Sequence, residues 1–179
     1  MKKFFSDMPE IVVENEPLAR YTTYGVGGPA RWVARPPSVE ELALVIRRCA
    51  DEDIPVYVLG RGANLLVSDE GVDGMVIRLD TPVFARIEWP QAAAVPGGPV
   101  EVTAGGGADM YRLVRESARR GLAGLEGLAG IPGRLGGIVR MNAGGRWGQI
   151  ADVVRGLTVV DGRGEIKRLV AAEAGFGYR

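Results

Sequence analysis

Hydrophobic and polar positions change period several times along the chain. Residues 31–35 alternate, with Trp32 and Ala34 on one side, and Pro36-Pro37 closes them, which predicts a strand. Ser38 then opens a capping box with Glu41. Leu42, Val45, Ile46 and Cys49 recur at three- and four-residue steps, predicting a helix that buries this stripe, turns Arg47 and Arg48 to water and ends at Ile54-Pro55. Residues 56–59 are a short continuous apolar run, the pattern of a strand covered on both faces, and they feed into a glycine loop at 60–66. Two further strands are expected at 65–67 and 75–79, around a turn at 69–74. Residues 84–89 are expected to pair with 100–104 across an exposed loop at 90–99. Asp109 then caps a helix with Met110, Leu113, Val114 and Ala118 on one stripe, stopped by Gly121. Residues 149–154 are short and apolar. Residues 157–160 and 165–170 form a hairpin over 161–164, and a turn of helix follows at 171–175. Upstream, 11–13 fits either a strand or a docking arm, and 21–29 reads as an extended segment ending in a tight glycine bend.

The order helix, buried strand, glycine loop is an α/β arrangement, in which ligands sit beyond the carboxyl ends of strands. The chain is organised, however, around residues 124–148, which hold nine of its 27 glycines. Glycine costs entropy on folding, and this run interleaves it with Leu125, Leu128, Ile131, Leu135, Ile138 and Met141, so it is not a flexible linker. It reads as a glycine-lined pocket whose backbone amides face a ligand, with the loop at 60–66 as a second wall. Alone, Gly60-Arg61-Gly62-Ala63-Asn64 matches neither a P-loop nor a dinucleotide fingerprint. It is equally an ordinary strand-ending turn or an anion nest in which Asn64 both donates and accepts.

Composition removes several function classes. Lys plus Arg and Asp plus Glu are both 22, so no global basic field favours nucleic acid, and the pairs at Arg47-Arg48, Arg112/Arg115 and Arg119-Arg120 read as solvated helix faces. There is no histidine, hence no histidine base, histidine zinc site or histidyl-linked cofactor; no metal site is expected. The single cysteine, Cys49, excludes an internal disulfide and falls on the buried stripe. No window is apolar enough to span a membrane and the N-terminus is too short in apolar residues for a signal peptide, so the chain reads as soluble and cytoplasmic.

Several motifs occur in one order: Thr22-Thr23-Tyr24 with Gly27-Gly28, the segment from Gly60 to Val67, Gly124-Leu125-Glu126, Gly130-Ile131-Pro132-Gly133, Met141-Asn142-Ala143-Gly144, and Phe176-Gly177-Tyr178-Arg179. Their order and spacing resemble the flavin-binding part of the UDP-N-acetylenolpyruvoylglucosamine reductase (MurB) family, over nearly all of residues 17–179. The resemblance implies an α+β fold of two α/β lobes, of the FAD-binding vanillyl-alcohol-oxidase/PCMH type, here 1–80 with an N-terminal arm and 81–179. It implies non-covalent FAD, held in the first lobe by Val58, Leu59, Gly60, Arg61, Gly62, Ala63, Asn64, Leu65 and Leu66, with the loop against the pyrophosphate. In the second lobe it implies Gly105, Gly127, Ile131, Pro132, Gly133, Gly136, Gly137, Met141, Asn142, Gly144 and Ile150, with the 131–144 run against the isoalloxazine and ribityl chain. The family reaction passes hydride from NADPH through FAD to the enolpyruvyl ether of a UDP-sugar, and Arg179 matches the family's carboxylate-gripping cation.

The family's proton donor and assisting glutamate belong to a substrate-binding portion after the Phe-Gly-Tyr-Arg motif and have no counterpart here. The chain alone is therefore expected to bind FAD without turning over; a non-catalytic flavin-binding module is the alternative. Self-association through surface left by that portion, at the hairpin of 157–170, is also expected. Arg61 and Ala63 stand where the family favours glycine and serine, and Arg134 and Arg140 flank the flavin run.

Overall fold

The ambiguous segment near the N-terminus is a strand. In the computed structural model, which describes residues 4–90 and 97–177, β1 (Val12–Pro17) pairs antiparallel with β2 (Pro29–Ala34). Between them, residues 21–29 are not extended. Leu18–Tyr21 is a 3₁₀ turn, and the backbone then bends through Gly25 and Gly27, both at positive φ, with the Thr22 hydroxyl donating to the Val26 carbonyl at 2.8 Å. Glycine freedom thus overrides the β preference of the threonines and tyrosines.

Ser38 caps α1 (Val39–Asp51) as expected: its hydroxyl oxygen accepts from the Glu41 amide, and the hydroxyl donates to the Glu41 carboxylate at 2.9 Å. Leu42, Val45, Ile46 and Cys49 are all buried, Cys49 completely. After the helix come β3 (Val56–Val58) and β4 (Val72–Ile77), both parallel to each other and β4 also to β2, completing a four-stranded sheet of order β1-β2-β4-β3. Register places Trp32 beside Met75 and Ala34 beside Ile77 on one face, and Val33 beside Val76 on the other. The second face carries a core of Leu18, Ala30, Val33, Leu59 and Val76.

Two strand expectations in this region fail. β3 is not covered on both faces: among the described residues it is the sheet's edge, bonded to β4 alone, and Val56, Tyr57 and Val58 are all exposed. Residues 65–67 form no strand, because the backbone after Asn64 follows the 18–28 bend, where Gly28 N–H donates to the Ser68 carbonyl at 2.8 Å.

Next come α2 (Pro82–Ala85), β5 (Ile87–Glu88) and β6 (Thr103–Ala104). The 84–89/100–104 pairing therefore exists but shrinks to two residues a side, since Phe84 is taken up by α2; of the expected loop between them, residues 91–96 lie outside the described residues. In α3 (Met110–Arg119), capped by Asp109, the buried stripe is Met110, Leu113 and Ser117 rather than Ala118, and the Ser117 hydroxyl is satisfied by the Leu113 carbonyl at 3.0 Å. Gly121, at φ 71, stops it.

The glycine-rich stretch is not one loop. It comprises a 3₁₀ turn (Glu126–Leu128), α4 (Leu135–Arg140), and β7 (Gly144–Gly145) paired with β8 (Gly148–Gln149). β9 (Gly156–Val160) and β10 (Ile166–Val170) form the expected hairpin, and Ala171–Glu173 is a 3₁₀ turn. A second core holds Met110, Leu113, Leu128, Ile138 and Ile150, with Leu125, Ile131, Leu135 and Phe176 packed against it.

The chain divides into two compact units. One comprises residues 1–81 and 158–167, the other 82–157 and 168–179. Residues 158–167, inside the second span expected from sequence, thus cluster with the first.

Candidate functional site

In the first unit the parallel strand β3 delivers the chain into the loop at Gly60. Leu59 is buried in the core with its amide on the Ile77 carbonyl, so its side chain anchors the loop from behind. Gly62 is buried at φ 64, and a Cβ there would collide with the Tyr21 carbonyl and the Thr22 Cα. Only glycine fits both demands. The Gly62 carbonyl is held by the Thr23 amide at 3.0 Å. By contrast, the amides of residues 62–66 donate to no acceptor among the described residues, and Arg61, Asn64, Leu65 and Leu66 are exposed, as is Val58. Successive uncommitted amides around a residue of positive φ are the parts of an anion nest.

Beneath this loop lies a charged cluster that sequence reasoning did not single out. The Tyr21 hydroxyl donates to Glu16 at 2.5 Å and accepts from Arg35 at 2.6 Å. Arg78 lies over the Tyr21 ring at 4.1 Å and donates to Asp80 at 2.7 and 2.8 Å. Arg35 and Arg78 stand one residue past the ends of β2 and β4. Charges at the carboxyl ends of adjacent parallel strands were the available signal.

In the second unit the turn at Gly105–Gly107 is stitched to the start of α4. Gly136 N–H donates to the Gly106 carbonyl at 2.7 Å, Leu135 N–H to Ala108 at 2.9 Å, and Arg134 reaches the Gly107 carbonyl at 3.2 Å. Arg134 is thereby spent on the backbone, whereas Arg140 is exposed. The glycines separate into two kinds. A Cβ on Gly105 would strike the Phe84 carbonyl, on Gly127 the Trp147 carbonyl, on Gly136 the Gly106 carbonyl, and on Gly144 the Gly148 carbonyl and Gln149; Gly133 sits at φ 153. Packing or backbone geometry within the chain explains these. Gly137 differs: it lies inside α4, at ordinary helical φ, exposed, and its missing Cβ would meet nothing within 4 Å. A helical glycine facing open space costs stability and gains the chain nothing internally, so packing within the chain does not account for it.

The remaining positions divide between core and surface. Ile150 is buried and Ile131 packs on the same core, so their side chains support the turn from inside. Met141, expected as an apolar anchor, is 48% exposed, and Pro132 is exposed. Asn142 adopts φ 41. Its amide nitrogen donates to the Gln149 side chain at 3.0 Å and the Gly177 carbonyl at 3.1 Å, and its oxygen accepts from the Ala151 amide at 3.2 Å. Its side chain is a bracket for neighbouring backbone. Arg179 lies outside the described residues.

The titratable groups add little redox or nucleophilic chemistry. Burial pushes the Cys49 thiol up to about 11, so it stays protonated and unreactive. Backbone amides of its own turn, Gly124 included at 2.7 Å, hold the Glu126 carboxyl below its usual range, making it a brace for the 3₁₀ turn. Among the described residues no group of three or more His, Cys, Asp or Glu is placed to hold a metal, and no helix is long and apolar enough to cross a membrane.

Comparison with known proteins fits this geometry. Residues 30–170 match the family model described as FAD binding domain. The chain is 46% identical over 164 residues to UDP-N-acetylenolpyruvoylglucosamine reductase 2 of Symbiobacterium thermophilum, covering 92% of this chain and 50% of that protein. The crystal structure of UDP-N-acetylenolpyruvylglucosamine reductase (MurB) from Thermus caldophilus superimposes with a TM-score of 0.69 at 39% identity, over 94% of this chain and 55% of that one. A VAO-type flavoprotein from Myceliophthora thermophila shares the fold alone, with a TM-score of 0.58 at 14% identity over 78% of this chain and 26% of that one. The chain spans about half the length of the curated relatives it matches. The chain therefore belongs to the FAD binding domain family, has the fold of VAO-type flavoproteins, and is homologous to the UDP-N-acetylenolpyruvoylglucosamine reductases over their FAD-binding part.

Proposed function

We propose that this chain is the flavin-holding part of a UDP-N-acetylmuramate dehydrogenase, which reduces the enolpyruvyl ether of UDP-N-acetylglucosamine with NADPH in peptidoglycan biosynthesis, in the cytoplasm. The observation that carries the reading is the row of amides at 62–66 left without an acceptor among the described residues. In a chain of this family they fit the pyrophosphate of FAD. When bound, the flavin supplies hydride transfer, which no side chain offers.

In this reading the amides at 62–66 bind and orient the pyrophosphate, and the open face over Gly137 admits the flavin ring. The 131–144 backbone is kept in register by Ile131, Ile138 and Ile150 packed behind it. Attachment is non-covalent, since the chain lacks histidine and Cys49 is buried and protonated. Hydride arriving at the enolpyruvyl double bond builds negative charge toward the substrate carboxylate. Arg179 is assigned to grip that carboxylate at two points, a role suited to a guanidinium because it does not give up its proton. The chain also self-associates in this reading, through the exposed apolar residues Ile166 and Val170 of β10.

The visible absorption spectrum of the purified protein, recorded after adding FAD and desalting, tests the proposal. Bands of bound oxidised flavin are expected to survive; a colourless protein refutes the flavin-holding role.

A further inference from the structure

Resting on that flavin reading, we propose that Tyr21 is a positioning residue of the flavin site: it clamps the strap of residues 18–28, and the strap sets the place of the amides at 62–66.

The loop lies directly on the strap. Gly62 approaches the Tyr21 carbonyl and Thr22 Cα so closely that no side chain fits between them. Two strap amides hold the loop's ends: Thr23 N–H on the Gly62 carbonyl at 3.0 Å and Gly28 N–H on the Ser68 carbonyl at 2.8 Å. Gly27 faces Val67 with no room for a Cβ. Wherever the strap moves, the amides at 62–66 follow.

The strap's backbone bonds do not fix it to the sheet at this end; its other ties are Leu18, buried in the core at its start, and the exposed Arg20, 3.7 Å from Glu16. Leu18 and Ala19 amides donate to the Gly28 and Gly27 carbonyls, and the Thr22 hydroxyl to Val26, all internal to the bend. Tyr21 makes the broadest tie. Its hydroxyl joins Glu16 on β1 to Arg35 after β2, and its ring lies under Arg78 after β4, so one side chain gathers three adjacent strands. Arg78 is only 9% exposed, and its Nη1 has no hydrogen-bond partner among the described residues. The ring covers the cation, and displacing Tyr21 would leave a buried charge without that cover. Arg35 and Arg78 face Glu16 and Asp80, with Arg35 to Asp80 at 3.6 Å, and the exposed Arg20 of the strap also reaches Glu16, at 3.7 Å. Each of these cations is paired with a carboxylate, so the cluster acts through geometry and not as a free cation.

Tyr21→Phe in the full chain keeps the ring under Arg78 and removes only the hydroxyl. Amide exchange at Thr23 and Gly28 is expected to speed about tenfold with α1 amides unchanged, and the Kd for FAD to rise about tenfold. Glu16→Gln, which keeps an acceptor for the hydroxyl, is expected to stay within about twofold of wild type on both. If Tyr21→Phe does not fold, Glu16→Ala replaces it with the same pattern required. Exchange that rises equally in α1, or a faster Thr23 with unchanged FAD affinity, overturns the proposal. The exchange comparison needs no flavin. A wild-type chain that takes up no FAD therefore refutes the flavin reading, while unchanged exchange at Thr23 and Gly28 refutes the clamp.

Discussion

At the level of single residues, the atom that a Cβ would meet separates the glycines that the fold requires from those that it does not. The spacing of glycines along residues 124–148 marked the stretch but made its members look alike, because what distinguishes them is the atom each would meet. Gly136 and Gly137 are neighbours in sequence, yet one abuts the Gly106 carbonyl and the other faces open space. Gly137→Ala is therefore expected to stabilise the flavin-free protein by about 1 kcal/mol through helix propensity and still weaken FAD binding by about tenfold. Thermal unfolding without flavin and a flavin titration read the two effects separately, and unchanged affinity would remove Gly137 from the site. Cys49 was legible in advance, since a three- and four-residue period fixes a helix face. Met141 was not: it follows α4, where that period no longer governs direction.

Elements were legible where a cap or a turn marked their ends. Ser38 and Asp109 set the helix starts, and the hairpin over residues 161–164 formed where its glycines and Asp161 called for it. They misled where apolar composition stood in for position. The same run of valines suits a central strand or an edge, and only the strand order β1-β2-β4-β3 puts residues 56–58 outside. Asp161 offers a test within one element. Its carboxylate accepts from the Lys167 ammonium at 2.5 Å and from the Glu165 and Arg163 amides at 2.9 Å each, and this holds its pKa at about 2, below the ordinary 3.8. A depressed carboxylate stabilises the fold above its unfolded pKa and loses that contribution as pH falls through the folded one. Asp161→Asn keeps the amide acceptor but not the charge. The variant is expected to be less stable than wild type near neutrality and to converge with it between pH 3.8 and about 2. Denaturant midpoints against pH check this; a gap that persists at pH 2 would contradict it. The group is solvent-exposed, so the effect is modest.

At the scale of the whole molecule, composition and the absence of histidine narrowed the chemistry, and ordered motifs carried the family, whereas the cluster around Tyr21 went unread because its members are scattered from residue 16 to residue 80 and only the arginines at the strand ends marked it. Sedimentation velocity over a range of concentrations is expected to show mass rising with concentration, through the exposed Ile166 and Val170; a monomer at every concentration would contradict it. The partition of the chain bears on its modularity. Residues 158–167 cluster with the first unit while their flanks cluster with the second, so the polypeptide passes from one unit to the other three times. Gly164, at φ 75, is buried against α1, where a side chain would strike the Ala43 carbonyl, and Arg47 reaches its carbonyl at 3.4 Å. No single crossover between two genes can transplant either unit intact. Recombination confined to residues 1–81 would pair a foreign α1 with a resident hairpin tip, so Ala43, Arg47 and Gly164 are expected to change together, as one inherited group.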